Sequence, residues 1–521
     1  MRISTFLLLF IAAWSQAQVN LSSAQLDFGD VYTTADKELA VNVTNTTSNT
    51  LEIDKVKVFH TDFSYSVPSA TLAAGATKKV RVTFKPKHNL AYNSELIFVL
   101  SDGSEHRIDL VGNGRFEDSY YNATFNKSHE DLKSALKSII SAGYTNLGYS
   151  GARDKMYSDI DNVDGKVTCV YTGRVATFNT RSGANSNNFN CEHTWPQSLF
   201  NKSEPERADI HHLFPTDNPA NGRRGSYPFG IVSSANWSEG GSKLGGGLFE
   251  PRDEQKGATA RAMMYFALRY QDYSNFIDGQ EAVLKQWHID HGPSARDVQR
   301  NNKIYTYQKN RNPFVDHPEF IERINKIGST DVKPTIKQAE TTQTAVNFKS
   351  VAPADKRDIY IVNTGNVDWT GASNATNSSG RINIISTDAS AAAGEAIKIT
   401  VGFTETAEGT YTDNLTLNLS SQAGKIIIIP VTYTIGLVDV ENVVVKRIKS
   451  HYSPLRQHLS FNDMPEDVEN IEIYTSGGKQ ILLDEIYSSF TDIPFRGHGQ
   501  GVYFVVIKTK TEVFTSRFLV Y

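Results

Sequence analysis

The chain has 521 residues, 39% of them hydrophobic and 21% charged, which excludes a disordered or collagen-like protein. A mean hydropathy of -0.38 excludes a polytopic membrane protein, and at roughly 100–200 residues per domain the length predicts about three to five domains. The 53 Lys+Arg against 57 Asp+Glu give a formal charge of -4, a balance that, taken whole, argues against a nucleic-acid partner.

Residues 1–17 read as a secretory signal peptide. Arg2 supplies the positive start, Phe6 to Trp14 a short apolar run, and Ser15-Gln16-Ala17 the small residues of a cleavage site. The run falls far short of the ~20 residues of a bilayer span. No later stretch approaches that length, so the mature chain is expected to be exported, without stable membrane insertion, and monomeric.

Residues 18–115 alternate like strands: Leu39, Val41 and Val43 point one way, as do Val80, Val82 and Phe84, then Leu96, Phe98 and Leu100. Turn-rich stretches separate them, which predicts an all-β sandwich. It resembles the immunoglobulin-like modules attached to exported bacterial enzymes.

Residues 116–330 change character. Asp131 to Ile140 and Ala258 to Leu268 have helical spacing, and seven of the 13 histidines and both cysteines lie here. In an exported chain, the even pair Cys169 and Cys191 favours a disulfide, contributing about 3 kcal/mol, over the alternative of two buried free thiols. Val167 to Val175 reads as one strand. Asn190 to Ser198 can end another, presenting Glu192 and His193 side by side, and Ile210, Leu213 and Phe214 make a further short strand. Asn221 then falls in a Gly-flanked turn or short helix. A carboxylate and an amide oxygen are hard ligands suited to Mg²⁺, which keeps several waters. A neutral imidazole beside them can take a proton from water near pH 7, and an arginine fork suits phosphate oxygens. Zinc favours histidine clusters over a Glu/Asn pair.

Three blocks, Asn190 to Ser198, Asp209 to Pro215 and the Asn221-Gly222 turn, followed by Arg300 to Ile304 and Gln308 to Glu319, resemble bacterial endonuclease I, the secreted or periplasmic nucleases of the ββα-metal class. The resemblance implies that Glu192 and Asn221 hold Mg²⁺ (with Mn²⁺ or Ca²⁺ able to substitute) and that His193 is the general base. An arginine would stabilise the scissile phosphate; Arg207 is the best match, with Arg223 and Arg224 as competitors. The implied reaction is sequence-nonspecific hydrolysis of DNA, with RNA as a further substrate, to 5′-phosphate ends. Activity would fall in acid near the ordinary histidine value of about 6.5. Arg223, Arg224, Arg300, Lys303 and Arg311 are expected to contact the nucleic-acid backbone, with a plain solvated face as the alternative over 296–311. His211 and His212 read as mostly structural, with one orienting the site as the alternative, and Trp195, Pro313 and Phe314 as core. A secreted adhesin with a degenerate nuclease core is the non-enzymatic alternative. Residues 121–330 hold 25 basic and 23 acidic residues, so the whole-chain charge averages parts with different jobs.

Residues 331–436 repeat the first module. Gly394, Ile399, Val401, Phe403, Tyr411, Leu415, Leu417 and Leu419 match Gly75, Val80, Val82, Phe84, Tyr92, Leu96, Phe98 and Leu100 at identical spacing, and Asn363-Thr364 echoes Asn45-Thr46. Residues 437–521, with Ser453-Pro454, Ile471-Glu472-Ile473-Tyr474, Gly477-Gly478-Lys479 and Gly501-Val502-Tyr503, resemble the C-terminal sorting domain of type IX secretion cargo, with Ser453 where that family has Asn. This implies contact with that secretion machinery, outer-membrane passage, and release or attachment at the cell surface. The expected fold class is therefore multidomain: an α+β ββα-metal nuclease core flanked by immunoglobulin-like β-sandwich modules and a C-terminal β-sandwich sorting domain.

Overall fold

The computed structural model describes residues 19–67, 71–270, 275–371, 375–436, 445–462, 464–465, 468–476, 480–485, 492–509 and 512–520. The signal-peptide residues 1–17 and the Gly477-Gly478-Lys479 turn lie outside them. The chain divides into two compact units, a larger one holding most residues up to 432 and a smaller one holding 350–352, 405–411 and the described residues from 433 on.

The first sandwich pairs a four-stranded sheet, in the order Val19–Leu21, Lys37–Asn45, Thr77–Phe84 and Phe63–Ser66, with a five-stranded one. Val41, Val43, Val80, Val82 and Phe84 meet Leu96, Phe98, Leu100, Ile108 and Leu110 in its core, as the period-2 alternation predicts. The second module repeats the order with Ala339–Thr341, Lys356–Asn363, Ala396–Phe403 and Ile382–Thr387. Asn45 and Asn363 occupy the same place in both copies. Each is fully buried, and its side-chain amide donates to the carbonyl four residues on, Asn49 at 2.7 Å and Val367 at 2.9 Å.

Alternation fails in the strand Ala91–Leu100. Ile97 and Val99, which should face water, are 0% and 4% exposed. Ile97 packs with Tyr360, Val362 and Ala396 of the second module. Two carboxylates of the first module seal this contact. Glu105 accepts from the Tyr360 amide at 2.8 Å and Glu95 from the Ala396 amide at 3.0 Å. Burial pushes Glu95 up to about 8 and Glu105 up to about 7, only partly opposed by Arg107 beside Glu95 and by the hydrogen bonds from Gln343 and Tyr360 to Glu105. A carboxyl raised above its unfolded value stabilises fully below the unfolded value and loses that contribution as pH rises through the folded one. The full chain is therefore expected to unfold at a lower temperature at pH 8.5 than at pH 5.5. Glu95→Gln, which keeps the neutral form at every pH, should recover on the order of 1–2 kcal/mol at the higher pH. Equal melting of wild type and Glu95→Gln across that range would remove this explanation.

The nuclease-like segment surrounds the helix Asp253–Tyr270, whose Ala260 to Leu268 run is buried almost all round. Leu132, Leu136 and Ile140 of the helix His129–Ser141 join the same core, and Trp195 stacks on Phe266 with centroids 4.8 Å apart. Both helices lie where the spacing placed them. The single strand expected over 167–175 is instead a hairpin of Lys166–Thr168 and Val175–Thr177, interrupted by a turn around Gly173 at φ +74°.

The disulfide expectation is also corrected: Cys169 and Cys191 are free and buried. Each sulfur is engaged locally. Cys169 Sγ accepts the amides of Asp217 at 3.2 Å and Thr172 at 3.4 Å, and Cys191 Sγ lies against its neighbouring Glu192 carbonyl at 3.7 Å.

The smaller unit holds a five-stranded sheet and a three-stranded sheet with Leu459, Ile471, Ile473, Val505 and Ile507 between them. No helix among the described residues is long and apolar enough to cross a membrane.

Candidate active site

The site is a strand pair followed by a helix. Phe189–His193 pairs antiparallel with Leu213–Asp217, setting Glu192 opposite Phe214 and His193 opposite Leu213. Asp217 then caps the helix Asn218–Arg224, its Oδ1 accepting from the Ala220 amide at 2.9 Å, with a proline in the first turn. Of the expected strand residues, Leu213 and Phe214 are in this ladder, whereas Ile210 belongs to a preceding 3₁₀ turn capped by Asp209.

That turn is anchored from behind. Asp209 accepts from Tyr265 and Tyr270 hydroxyls at 2.8 and 2.9 Å, from Gln308 at 3.0 Å, and from Arg269. Gln308 also accepts the Ile210 amide at 2.6 Å. His211 and His212 bond the carbonyls of Asn310 and Glu206.

Glu192 is 2% exposed. Its Oε1 accepts from the Tyr171 hydroxyl at 2.8 Å and faces Arg224 Nε at 3.0 Å. Its Oε2 makes no hydrogen bond among the described residues, and neither does the Asn221 side chain. Asn221 and Arg224 are three apart on one helix and so share a face; the Arg224–Glu192 pair turns that face toward the carboxylate. Burial pushes Glu192 up to about 7, against the opposing pull of Arg224 and Tyr171.

His193 Nε2 lies 3.3 Å from the Arg207 carbonyl. A carbonyl only accepts, so Nε2 carries the proton and Nδ1 is left with its lone pair. Burial, then the neighbouring His212, Arg207 and Arg153, hold the imidazole well below its ordinary value. Arg207 thus orients the base through its backbone, while its guanidinium lies 4.2 Å from the Tyr149 ring. Tyr149, in turn, lies 5.3 Å from the His193 ring.

Several residues expected at the nucleic-acid backbone are engaged within the protein. Arg224 is fully buried and occupied by Glu192 and by the Thr194 carbonyl at 2.6 Å, so it is closed to substrate. Arg300, 8% exposed, bonds Asp161 at 3.0 Å and the carbonyls of Ile210 and Leu213, clamping the strand pair. Arg311 makes a two-point pair with Asp316, 2.6 Å on each arm, and Lys303 binds Asp159 at 3.1 Å. Only Arg223 of that set is exposed without an ion pair among the described residues. Tyr171, Tyr149 and Arg153 had no role in the sequence reading. Tyr149 and Arg153 are four apart on the helix Gly148–Lys155, a spacing that was visible, but nothing in it points to a strand some forty residues on.

Residues 128–319 match the family model for Endonuclease I, and residues 17–113 match a HYDIN/CFA65/VesB-like Ig-like domain. The chain is 35% identical over 228 residues to a Bacillus subtilis (strain 168) protein named Extracellular ribonuclease, covering 40% of this chain and 78% of that one. It is 34% identical over 227 residues, with the same coverage, to the Extracellular ribonuclease of Bacillus amyloliquefaciens. A solved Porphyromonas gingivalis W83 protein of unknown function aligns with 20% of this chain and 51% of its own at 16% identity, with a TM-score of 0.17, too slight a likeness to inform the fold. The strand–strand–helix site and these matches define a nuclease. The chain belongs to the endonuclease I family.

Proposed function

We propose that this protein is a secreted, Mg²⁺-dependent endonuclease that cleaves DNA and RNA without sequence preference and leaves 5′-phosphate ends. The observation that carries the reading is a neutral imidazole, with its Nδ1 lone pair free, next along the same strand to a carboxylate whose second oxygen is uncommitted. The donor set fits Mg²⁺. Glu192 Oε2 and the Asn221 amide oxygen are hard donors, and two protein ligands leave room for the waters this ion keeps. Among the described residues no three His, Cys, Asp or Glu side chains gather as a metal cluster, which fits a site of this kind better than zinc.

When bound there, Mg²⁺ would supply charge stabilisation at the phosphate and the leaving 3′-oxygen. His193 Nδ1 takes the proton of the attacking water, and the Arg207 carbonyl keeps the ring in the tautomer that can do so. Tyr171 and Arg224 fix Glu192 and favour its ionised form. Arg207 is proposed to face the phosphate with its guanidinium. The names of the two Bacillus relatives favour RNA as a substrate alongside DNA.

Wild-type protein should nick plasmid and degrade RNA in Mg²⁺, and do neither in EDTA. Intact plasmid and intact RNA over a range of salt and divalent metals would end the enzyme reading. Export by residues 1–17 and sorting by residues 437–521 through type IX secretion complete the proposal; mass spectrometry of the secreted form should show both ends removed.

A further inference from the structure

Beside the base lies a cation pair of which the reaction as described uses only Arg207. Arg153 and Arg207 both place their guanidinium carbons over the Tyr149 ring, at 4.1 and 4.2 Å from its centroid. Both have a buried Nε without a hydrogen-bond partner, and neither forms an ion pair among the described residues. The carboxylates nearby are taken. Asp161 is held by Arg300 at 3.0 Å, Asp154 by Arg181 at 2.6 Å and Glu192 by Arg224 at 3.0 Å. Glu204 accepts the Tyr149 amide at 3.0 Å. Two like charges sharing one ring without a counter-ion repel each other, and a partly buried guanidinium without an acceptor forfeits its hydration. An anion arriving at the edge of this stack, within reach of their outer nitrogens, relieves both costs. A phosphodiester is the anion whose oxygens match two planar forks.

We propose that Arg153 is a second substrate-binding residue, gripping a backbone phosphate with its fork alongside Arg207, with Tyr149 as the spacer that aligns both guanidiniums beside His193. The assignment rests on the nuclease reading and extends its phosphate contact from one arginine to two.

The test uses the full chain. Binding to a short labelled DNA duplex is measured in EDTA over a series of salt concentrations, and steady-state kinetics in Mg²⁺. Arg153→Met should lower the slope of log affinity against log salt by about 0.9, the loss of one phosphate contact, and raise KM roughly 10- to 100-fold. An unchanged slope, even with a raised KM, makes Arg153 a packing residue and overturns the assignment. Where the Met variant does not fold, Arg153→Lys decides. It retains the charge and gives up the fork, so a raised KM with the wild-type slope is expected, and a wild-type KM overturns the proposal. Failure of the nuclease reading itself is a separate result, seen when the wild type cleaves neither DNA nor RNA.

Discussion

His193→Ala should lower phosphodiester cleavage by roughly 10²–10⁴-fold while nucleic-acid binding in EDTA stays at the wild-type level, because general-base transfer is worth about that much and the imidazole makes no contact needed for affinity. The ring's only hydrogen bond among the described residues goes to the Arg207 carbonyl, so its loss frees one acceptor and disturbs the fold little. The pH profile gives a second reading. A base is active when neutral, and burial together with His212, Arg207 and Arg153 holds His193 well below 6.5. The acid limb that belongs to this group should therefore lie below pH 6.5, not at it, when measured as kcat at saturating Mg²⁺. A limb centred at 6.5 that disappears in His193→Ala residual activity would mean that the imidazole is better hydrated than its 7% exposure allows.

Arg224→Met is expected to be the most damaging change to the fold of the site. Both partners of the Arg224–Glu192 pair are buried, and removing one member of a buried pair typically costs about 3–5 kcal/mol because the other charge is left without compensation. Glu192 already sits high, and without Arg224 it would be protonated at neutral pH. The variant should thus lose activity together with several degrees of melting temperature. The double change Glu192→Gln with Arg224→Met removes both charges and should regain most of the stability while remaining inactive. A double variant no more stable than Arg224→Met alone would show that Arg224 acts through its contacts to Thr194 and Phe229 and not through Glu192.

Arg224 also shows where reading the chain as a string stops. In sequence it is one of two adjacent arginines after Asn221, and both looked available for phosphate. On the helix they are about 100° apart. Arg223 is turned to solvent, and Arg224 is turned onto the Glu192 carboxylate. Arg300 is a similar case: its cationic neighbours suggested a surface patch, and its acceptor, Asp161, lies 139 positions away. Charge identity is local information, but the partner that neutralises a charge is not.

The amino-acid sequence by itself determined the two sandwiches and the family of the segment between them. Period-2 alternation defined the two sandwiches, and identical spacing marked the second as a copy of the first. The Glu192-His193 dipeptide and Asn221 lay within a strand–strand–helix unit whose elements are each short and contiguous. These features depend on neighbours a few residues apart, and side-chain direction along a strand or helix follows from backbone geometry alone. The tertiary structure alone decided which cations are free, that the two cysteines stay unbonded, that Ile97 is covered by the second module, and that Arg153 and Arg207 share the Tyr149 ring near His193. Each of these depends on which surfaces meet when distant segments pack, and neither composition nor spacing records that choice.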